Sequence, residues 1–267
     1  MFVILSGSSG VGKNTVIKEM QKANSNMVLM PTYTTRERRE GEIEGLPYFY
    51  ISKDEFQDKI KNGEFIEHEH IHGNFYGSSY KIFDEYIKNG KILIKDIGVE
   101  GAQNLSKKMK DKTNIVKIFL TVKHKSELKK RLKSRGEKQI KLRLKRFGYE
   151  QKQKNKFDYI VYNGDLQQTS DNIVKIIGLK QDDFYFSKKL NKLNKYKVKY
   201  YINKLTSGKI LSPVKIAILG GKVCVVRGVE KLVASFVCKK PVAKLVINKK
   251  LNADKYCNRF NKDGLKS

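Results

Sequence analysis

The chain has 267 residues, of which 39% are apolar, and it carries a net charge of +29. This length fits one large domain or two smaller ones with buried cores. No run of about 18 or more apolar residues is present, so no membrane span is expected. Met1 leads directly into a strand-like segment rather than a signal peptide. Three scattered cysteines match neither a disulfide framework nor a metal motif. We therefore expect a cytoplasmic protein with no contact to a membrane.

Strands and helices are predicted to alternate along the first two thirds of the chain. Apolar runs predict strands over 1–7, 26–32, 91–97, 114–122 and 157–163. Helical periodicity and capping residues predict helices over 12–23, 52–63, 126–134, 138–155 and 166–178. Alternation of this kind predicts a doubly wound α/β fold around a parallel sheet.

The C-terminal part has a different composition. Residues 180–267 contain 20 Lys and 2 Arg against 5 acidic residues, an excess of 17 positive charges. A predicted hairpin over 214–228, a helix over 229–240 and a strand over 242–248 make a small basic α+β domain, so we expect domains at 1–180 and 181–267. The charge favours nucleic acid or another anionic ligand as a partner. The alternative is that these lysines are spread over solvent-exposed faces and bind no particular partner.

A glycine-rich loop follows the first predicted strand. Residues 7–13, GSSGVGK, match G-x-x-x-x-G-K, in which backbone N–H groups turn toward phosphate oxygens and the lysine reaches the β- and γ-phosphates. This pattern predicts a nucleoside triphosphate site formed by Gly7, Ser8, Ser9, Gly10, Val11, Gly12, Lys13, Asn14 and Thr15. Asn14 stands where the pattern has a hydroxyl residue, and Thr15 supplies a hydroxyl one place later.

The next segment suits a smaller phosphate and a base. Arg36, Arg39, Tyr48 and Tyr76 supply two guanidinium groups and two hydroxyls, which favour a monophosphate. Glu67 is a candidate for reading the base, because one carboxylate accepts both the N1–H and the 2-amino donors of guanine. Adenine presents no such pair, and it would leave the charge of the carboxylate unpaired.

Seven blocks of the sequence are those of one enzyme family: GSSGVGKNT, TTRERREGE, YFYIS, GEFIEHEHIHGNFYGSS, EGAQ, RLKSRG and DYIVYNGDL. In their order and approximate spacing, residues 1–178 resemble guanylate kinase. The resemblance implies a P-loop nucleoside monophosphate kinase fold with a GMP-binding part at about 33–80 and a helical lid at about 131–150. It also implies Mg²⁺-dependent transfer of a phosphoryl group from ATP to GMP.

The resemblance implies a role for each matched residue. Arg36, Arg39, Tyr48 and Tyr76 would hold the GMP phosphate, and Thr32, Glu67 and Ser78 would contact guanine. Asp96 would lie near the phosphates and Mg²⁺, Asn163 near the adenine of ATP, and Lys13, Arg131, Arg135 and Arg143 around the transferring group. Arg131 and Arg135 are four residues apart, which predicts that they share one helix face.

Three positions depart from the family pattern. Asn14 is a tolerated difference, since some family loops carry glycine there. Gly98 replaces the second acid of the pair that begins at Asp96, so one carboxylate that helps read guanine is lost. The lid loop is about three residues shorter than the usual pattern, in a region where changes of length are tolerated.

Residues 212–247 resemble the N-terminal domain of ParB-type partition proteins and their sulfiredoxin relatives. Gly228, Lys231 and Ala234 occupy places of a phosphate-contacting box whose arginines are missing here. Arg227 and Lys231 at a helix start would favour a phosphate. A structural appendage with lysine-rich faces is the alternative.

Two further interpretations of the sequence stay open. The first part is either an active kinase or a kinase-like binding module without turnover. Alternatively, the protein binds nucleic acid through its basic C-terminal part. His68, His70 and His72 alternate, so on a strand they share a face. They are either zinc ligands or an ordinary solvent-facing strand edge.

Overall fold

The protein is described by a computed structural model over residues 1–71, 73–178, 184–186, 195–207, 209, 211–219, 222–237, 242, 244–246 and 258–259. These residues belong to two compact units. The first comprises Met1–Ser6 and Ile17–Lys117, and the second comprises Gly7–Val16 and Ile118–Ser267. The described part contains no helix that is long and apolar enough to cross a membrane.

The first unit holds two sheets. Its elements are β1 (Phe2–Ser6), most of α1 (Lys13–Ala23), β2 (Met27–Leu29), β3 (Thr32–Thr34), β4 (Ile43–Glu44), β5 (Pro47–Tyr50), α2 (Lys53–Lys61), β6 (Phe65–Ile71), β7 (Asn74–Ser79), α3 (Tyr80–Lys88), β8 (Ile92–Asp96) and α4 (Val99–Met109). Strands β1 and β2 both pair with β8 in parallel. The mixed second sheet has the order β4-β5-β3-β7-β6.

Sequence signals set the ends of these elements. All five residues of β1 are buried, as expected for a strand in a parallel sheet that is covered on both faces. The hydroxyl of Ser52 accepts a hydrogen bond from the Glu55 backbone N–H at 3.1 Å and starts α2. Ser79 starts α3 in the same way, through the N–H of Ile82.

The second unit begins within the strand that follows α4. Its elements are the end of β9 (Ile115–Thr121), α5 (Lys125–Ser134), α6 (Ile140–Gln153), β10 (Tyr159–Tyr162), α7 (Leu166–Ile177), β11 (Phe184–Phe186), α8 (Lys195–Thr206), β12 (Val214–Leu219), β13 (Lys222–Arg227), α9 (Val229–Val237), β14 (Lys244–Val246) and β15 (Asn258–Arg259). Strands β9, β10, β14 and β12 are parallel neighbours. The antiparallel β12–β13 hairpin confirms the predicted one.

The structure confirms the α/β class, and a strand or helix forms at each place where one is predicted. Helices α3 and α4 and strands β3 to β7 form where none is predicted. Helix α8 forms where the sequence shows only a polar, basic segment. The compact units do not divide at residue 180, because β14 of the basic part pairs directly with β10, matching Tyr159 with Lys244. The predicted boundary at residue 180 therefore describes where the kinase sequence ends, and it stays a prediction.

Candidate active site

The glycine-rich loop joins the end of β1 to the start of α1. Gly7 has a φ of +148°, and a Cβ added there would lie 2.1 Å from the Leu120 carbonyl oxygen. Only glycine fits this position, because the backbone conformation and the close approach both exclude a side chain. Lys13 Nζ donates a hydrogen bond to the Gly7 carbonyl at 2.7 Å, so the lysine spans the loop. Asn14 and Thr15 are exposed in the first turn of α1.

Residues of α5, α6 and the end of β10 hold this loop within the second unit. The Val11 carbonyl accepts hydrogen bonds from Arg131 Nη1 at 2.9 Å and from Asn163 Nδ2 at 2.7 Å. Ser8, which is 1% exposed, donates to the carboxylate of the buried Glu150 on α6. These contacts place Arg131 and Asn163 at the loop, and their predicted roles toward the phosphate and the adenine stay predictions.

The three predicted lid arginines have different surroundings. Arg131 also donates to the Asn163 carbonyl at 2.7 Å. Helix α5 ends at Ser134, so Arg135 is its C-cap residue and is exposed rather than a member of the helix. Arg143 on α6 bonds to the hydroxyl of Ser9 and forms an ion pair with Glu137. The backbone N–H of Gln139 and this guanidinium both lower the pKa of Glu137.

A cluster of guanidinium and phenol groups lies in the first unit. Arg36 lies over the ring of Tyr48, with 5.4 Å between the guanidinium carbon and the ring centroid. The rings of Tyr48 and Tyr76 are 6.0 Å apart. Burial and the neighbouring Tyr76 raise the pKa of the Tyr48 hydroxyl, and the charge of Asp96 at the end of β8 acts in the same direction. Arg39 is exposed at the edge of this cluster.

Glu42 organises the cluster. Arg36 Nη2 lies 2.8 and 3.0 Å from its two carboxylate oxygens, and the Tyr50 hydroxyl donates to it at 2.7 Å. The backbone N–H of Arg39 adds a bond of 2.9 Å. The bonds from Arg36, Arg39 and Tyr50 lower the pKa of Glu42 to about 2, because they stabilise the charged form.

The three predicted base contacts lie together on β3, β6 and β7. Ser78 Oγ donates to Glu67 Oε1 at 2.6 Å. Lys95 of β8, which the sequence analysis does not single out, joins them. Its ammonium lies 3.2 Å from Glu67 Oε1 and 3.0 Å from Thr32 Oγ1. The arrangement combines one carboxylate, two hydroxyls and one ammonium within hydrogen-bonding distance of one another.

Sequence reasoning misses Glu42, Tyr50, Lys95 and Glu150. A signal exists for Lys95, since it directly follows the apolar residues 92–94 in a strand predicted to be buried, and a buried lysine requires a partner. No comparable signal exists for Glu150, because its partner Ser8 is 142 residues away in the sequence.

The residues present fit a magnesium ion held mainly by phosphates and water. Mg²⁺ in nucleotide sites takes one or two carboxylates and keeps several water ligands. Asp96 is the candidate carboxylate. Within the described residues, no group of three or more His, Cys, Asp or Glu side chains is placed to hold a metal by itself. His68 and His70 are exposed, and His72 lies outside the described residues.

A phosphate loop between a buried strand and a helix, together with an arginine–tyrosine cluster and a carboxylate-centred base cluster, defines a P-loop nucleoside monophosphate kinase. The model of the guanylate kinase family matches residues 1–179, and the chain belongs to this family. The protein is an enzyme and functions as a guanylate kinase.

Individual relatives agree with the family match. A guanylate kinase of Prochlorococcus marinus subsp. pastoris is 39% identical over 178 residues, which cover 66% of this chain and 95% of that protein. A guanylate kinase of Campylobacter jejuni strain RM1221 is 38% identical over 179 residues, which cover 66% of this chain and 86% of that protein. The crystal structure of guanylate kinase from Anaplasma phagocytophilum is 30% identical, with a TM-score of 0.52 and coverage of 66% and 84%.

The family model ends at residue 179. The resemblance of residues 212–247 to partition proteins gains no support from these comparisons, and neither does nucleic-acid binding by the basic part. The kinase-like module without turnover is not favoured either.

Proposed function

We propose that this guanylate kinase binds ATP on the loop at residues 7–15 and requires Mg²⁺. Backbone N–H groups of the loop and the N-terminus of α1 face the phosphates, and Lys13 stabilises the charge on the β- and γ-phosphates. Mg²⁺, when bound, would neutralise part of the charge of the phosphates. Asp96 would orient its water ligands, and Thr15 would supply the hydroxyl that Asn14 does not.

GMP is proposed to bind in the first unit. Arg36, Arg39, Tyr48 and Tyr76 hold its phosphate, and Glu42 keeps Arg36 in position. Glu67, Ser78 and Thr32 contact the base. The GMP phosphate already carries a nucleophilic oxygen, so the protein supplies placement and positive charge rather than a general base.

The lid arginines are proposed to surround the transferring phosphoryl group. Arg135 is exposed, and Arg143 is bound to Ser9 of the loop itself. Arg131 bonds to two backbone carbonyls, so it also holds the loop in the shape that receives phosphates. Asn163, which bonds to the same Val11 carbonyl as Arg131, is proposed to lie near the adenine of ATP.

The loop geometry carries this proposal, because Lys13 and the three positive-φ glycines at 7, 10 and 12 have the form that a triphosphate requires. The test is a coupled assay that follows ADP formation with ATP, Mg²⁺ and GMP. Lys13→Ala should lower turnover by at least about 100-fold, since the lysine stabilises charge that develops in the transition state.

Lys18→Ala is the matched control, because Lys18 is an exposed lysine of the same helix. It should leave turnover unchanged. Transfer by the Lys13→Ala variant at nearly the wild-type rate would show that this loop does not carry the reaction.

A further inference from the structure

A buried cation lies inside the proposed base site. Lys95 is 7% exposed and stands on β8 next to Leu93 and Ile94, which are fully buried. Lysine side chains are almost never buried without partners, because removing the ammonium from water is costly. A lysine at this depth therefore has a specific set of acceptors.

The structure gives two of the three acceptors that the ammonium of Lys95 requires. Its Nζ donates to Thr32 Oγ1 at 3.0 Å and forms an ion pair with Glu67 Oε1 at 3.2 Å. Ser78 donates to the same carboxylate oxygen at 2.6 Å. Among the residues that the structure describes, the third N–H of Lys95 has no acceptor and Glu67 Oε2 has no donor.

One free donor beside one free acceptor matches the edge of a 6-oxopurine. Guanine presents the O6 acceptor next to the N1–H donor, followed by the 2-amino donor. The ammonium of Lys95 can face only O6, since the other two groups are donors themselves. With the phosphate held at the same place, adenine would turn its 6-amino donor toward the ammonium.

The ion pair also changes how the wrong base is rejected. A lone buried carboxylate excludes adenine because its charge would stay unpaired. Here Lys95 compensates the charge of Glu67 whichever base is bound. Selection against the 6-amino group must then come from the ammonium itself, and Gly98 offers no side chain to the 2-amino group.

We propose that Lys95 is a specificity-determining residue, whose ammonium donates a hydrogen bond to the 6-oxo group of the purine nucleotide. The site then selects the 6-oxo group more strongly than the 2-amino group. This inference rests on the proposed function, because it assumes that GMP occupies the cluster of Thr32, Glu67 and Ser78.

The test pairs a change in the protein with a change in one atom of the substrate. Wild type and Lys95→Met are assayed with GMP, with 6-thio-GMP, in which sulfur is a weaker acceptor, and with inosine monophosphate, which lacks the 2-amino group. Wild type should favour GMP over 6-thio-GMP in kcat/KM by about fivefold to tenfold, and Lys95→Met by less than about twofold. The preference for GMP over inosine monophosphate should be the same in both.

Lys88→Met is the matched control for loss of one positive charge, because Lys88 is exposed on α3 of the same unit. It should keep the wild-type preference. If Lys95→Met prefers GMP over 6-thio-GMP as strongly as wild type does, Lys95 does not contact O6 and the inference is wrong. A wild-type protein that transfers no phosphoryl group to GMP would instead overturn the proposed function.

A second pair of variants covers the case in which Lys95→Met does not fold, since that change leaves the partly buried carboxylate of Glu67 without its cation. Glu67→Gln and the double variant Lys95→Met with Glu67→Gln contain no unpaired carboxylate. Binding of GMP and 6-thio-GMP is measured by calorimetry in both. The double variant should lose the preference for GMP that Glu67→Gln keeps, and equal preferences would overturn the inference.

Discussion

At the scale of single residues, Gly98 is the departure with the clearest physical consequence. It is the N-cap of α4, with φ −61° and ψ 165°, and no side chain caps the helix. This backbone conformation is open to any residue, so an aspartate there is unstrained. Aspartate is also a favoured N-cap, because its carboxylate accepts from a free backbone N–H of the first turn.

We therefore expect Gly98→Asp to tighten GMP binding. A well-aligned bond to the 2-amino group would contribute about 1 kcal/mol, and the cap would stabilise the fold by a few tenths of a kcal/mol. Calorimetric titration of GMP into both proteins measures the first effect. Gly98→Asn is the control, since it caps the helix without adding a charge. Weaker or equal GMP binding by Gly98→Asp would mean that the site is built around the glycine.

Glu42 gives a second residue-scale prediction, in the pH dependence of stability. Its pKa is lowered from 4.5 to about 2, so the folded state binds its proton less tightly than the unfolded state does. The stabilisation is therefore complete above about pH 4.5 and is lost as the pH falls toward 2. Glu42→Gln should be less stable than wild type at pH 7, and this difference should shrink as the pH falls below 4.5.

Urea unfolding of both proteins between pH 7 and pH 3 measures this difference. The control is Glu40→Gln, which removes an exposed neighbouring carboxylate. A difference between wild type and Glu42→Gln that stays constant down to pH 3 would show that the carboxylate does not gain its charge-dependent bonds on folding.

At the scale of elements, the pairing of β14 with β10 joins the basic part to the kinase part. Burial of the Tyr159 ring raises the pKa of its hydroxyl, and Lys244 of β14 lies 5.1 Å from the centre of that ring. Removal of residues 181–267 would turn β10 into an edge strand with unpaired N–H and C=O groups.

We expect the 1–180 truncation to keep guanylate kinase activity within about threefold of the full chain. Such a change in rate corresponds to only a small change in the activation free energy. The reason is that the Prochlorococcus marinus relative is matched over 95% of its length by about 180 residues. The truncated protein should also aggregate more readily, because of the exposed edge. Steady-state assays and light scattering of both forms measure these effects, and a folded but inactive truncation would show that the tail is part of the active enzyme.

At the scale of the whole molecule, the sequence predicts the α/β class and most strands and helices of the described chain. It succeeds at β1 and α2, where an apolar run and a serine cap are local signals. It fails at α8, whose apolar and basic residues mix without a regular period and which forms against α9. Propensity is a weak guide where tertiary packing decides the conformation.

The candidate site is predictable to the extent that its residues belong to motifs. Spacing identifies Lys13, Arg36 and Glu67, but it does not show that Glu67 shares an oxygen with Lys95 and Ser78. The bond from Ser78 crosses the β6–β7 hairpin, in which Glu67 and Ser78 are opposite each other. The ion pair with Lys95 instead joins β6 to β8, which belongs to the other sheet, so it follows from three-dimensional packing rather than from any local pattern.

The place of β14 in its sheet has a consequence for synthesis of the chain. Tyr159 and its partner Lys244 are 85 positions apart. At the usual translation rates of about 5–20 residues per second, β10 is synthesised roughly 4–17 s before β14. For that interval β10 lacks its partner β14 and forms an open edge of the sheet. A pause of the ribosome in the lysine-rich segment would lengthen this interval. The codons of the basic C-terminal part therefore influence how long β10 remains unpaired.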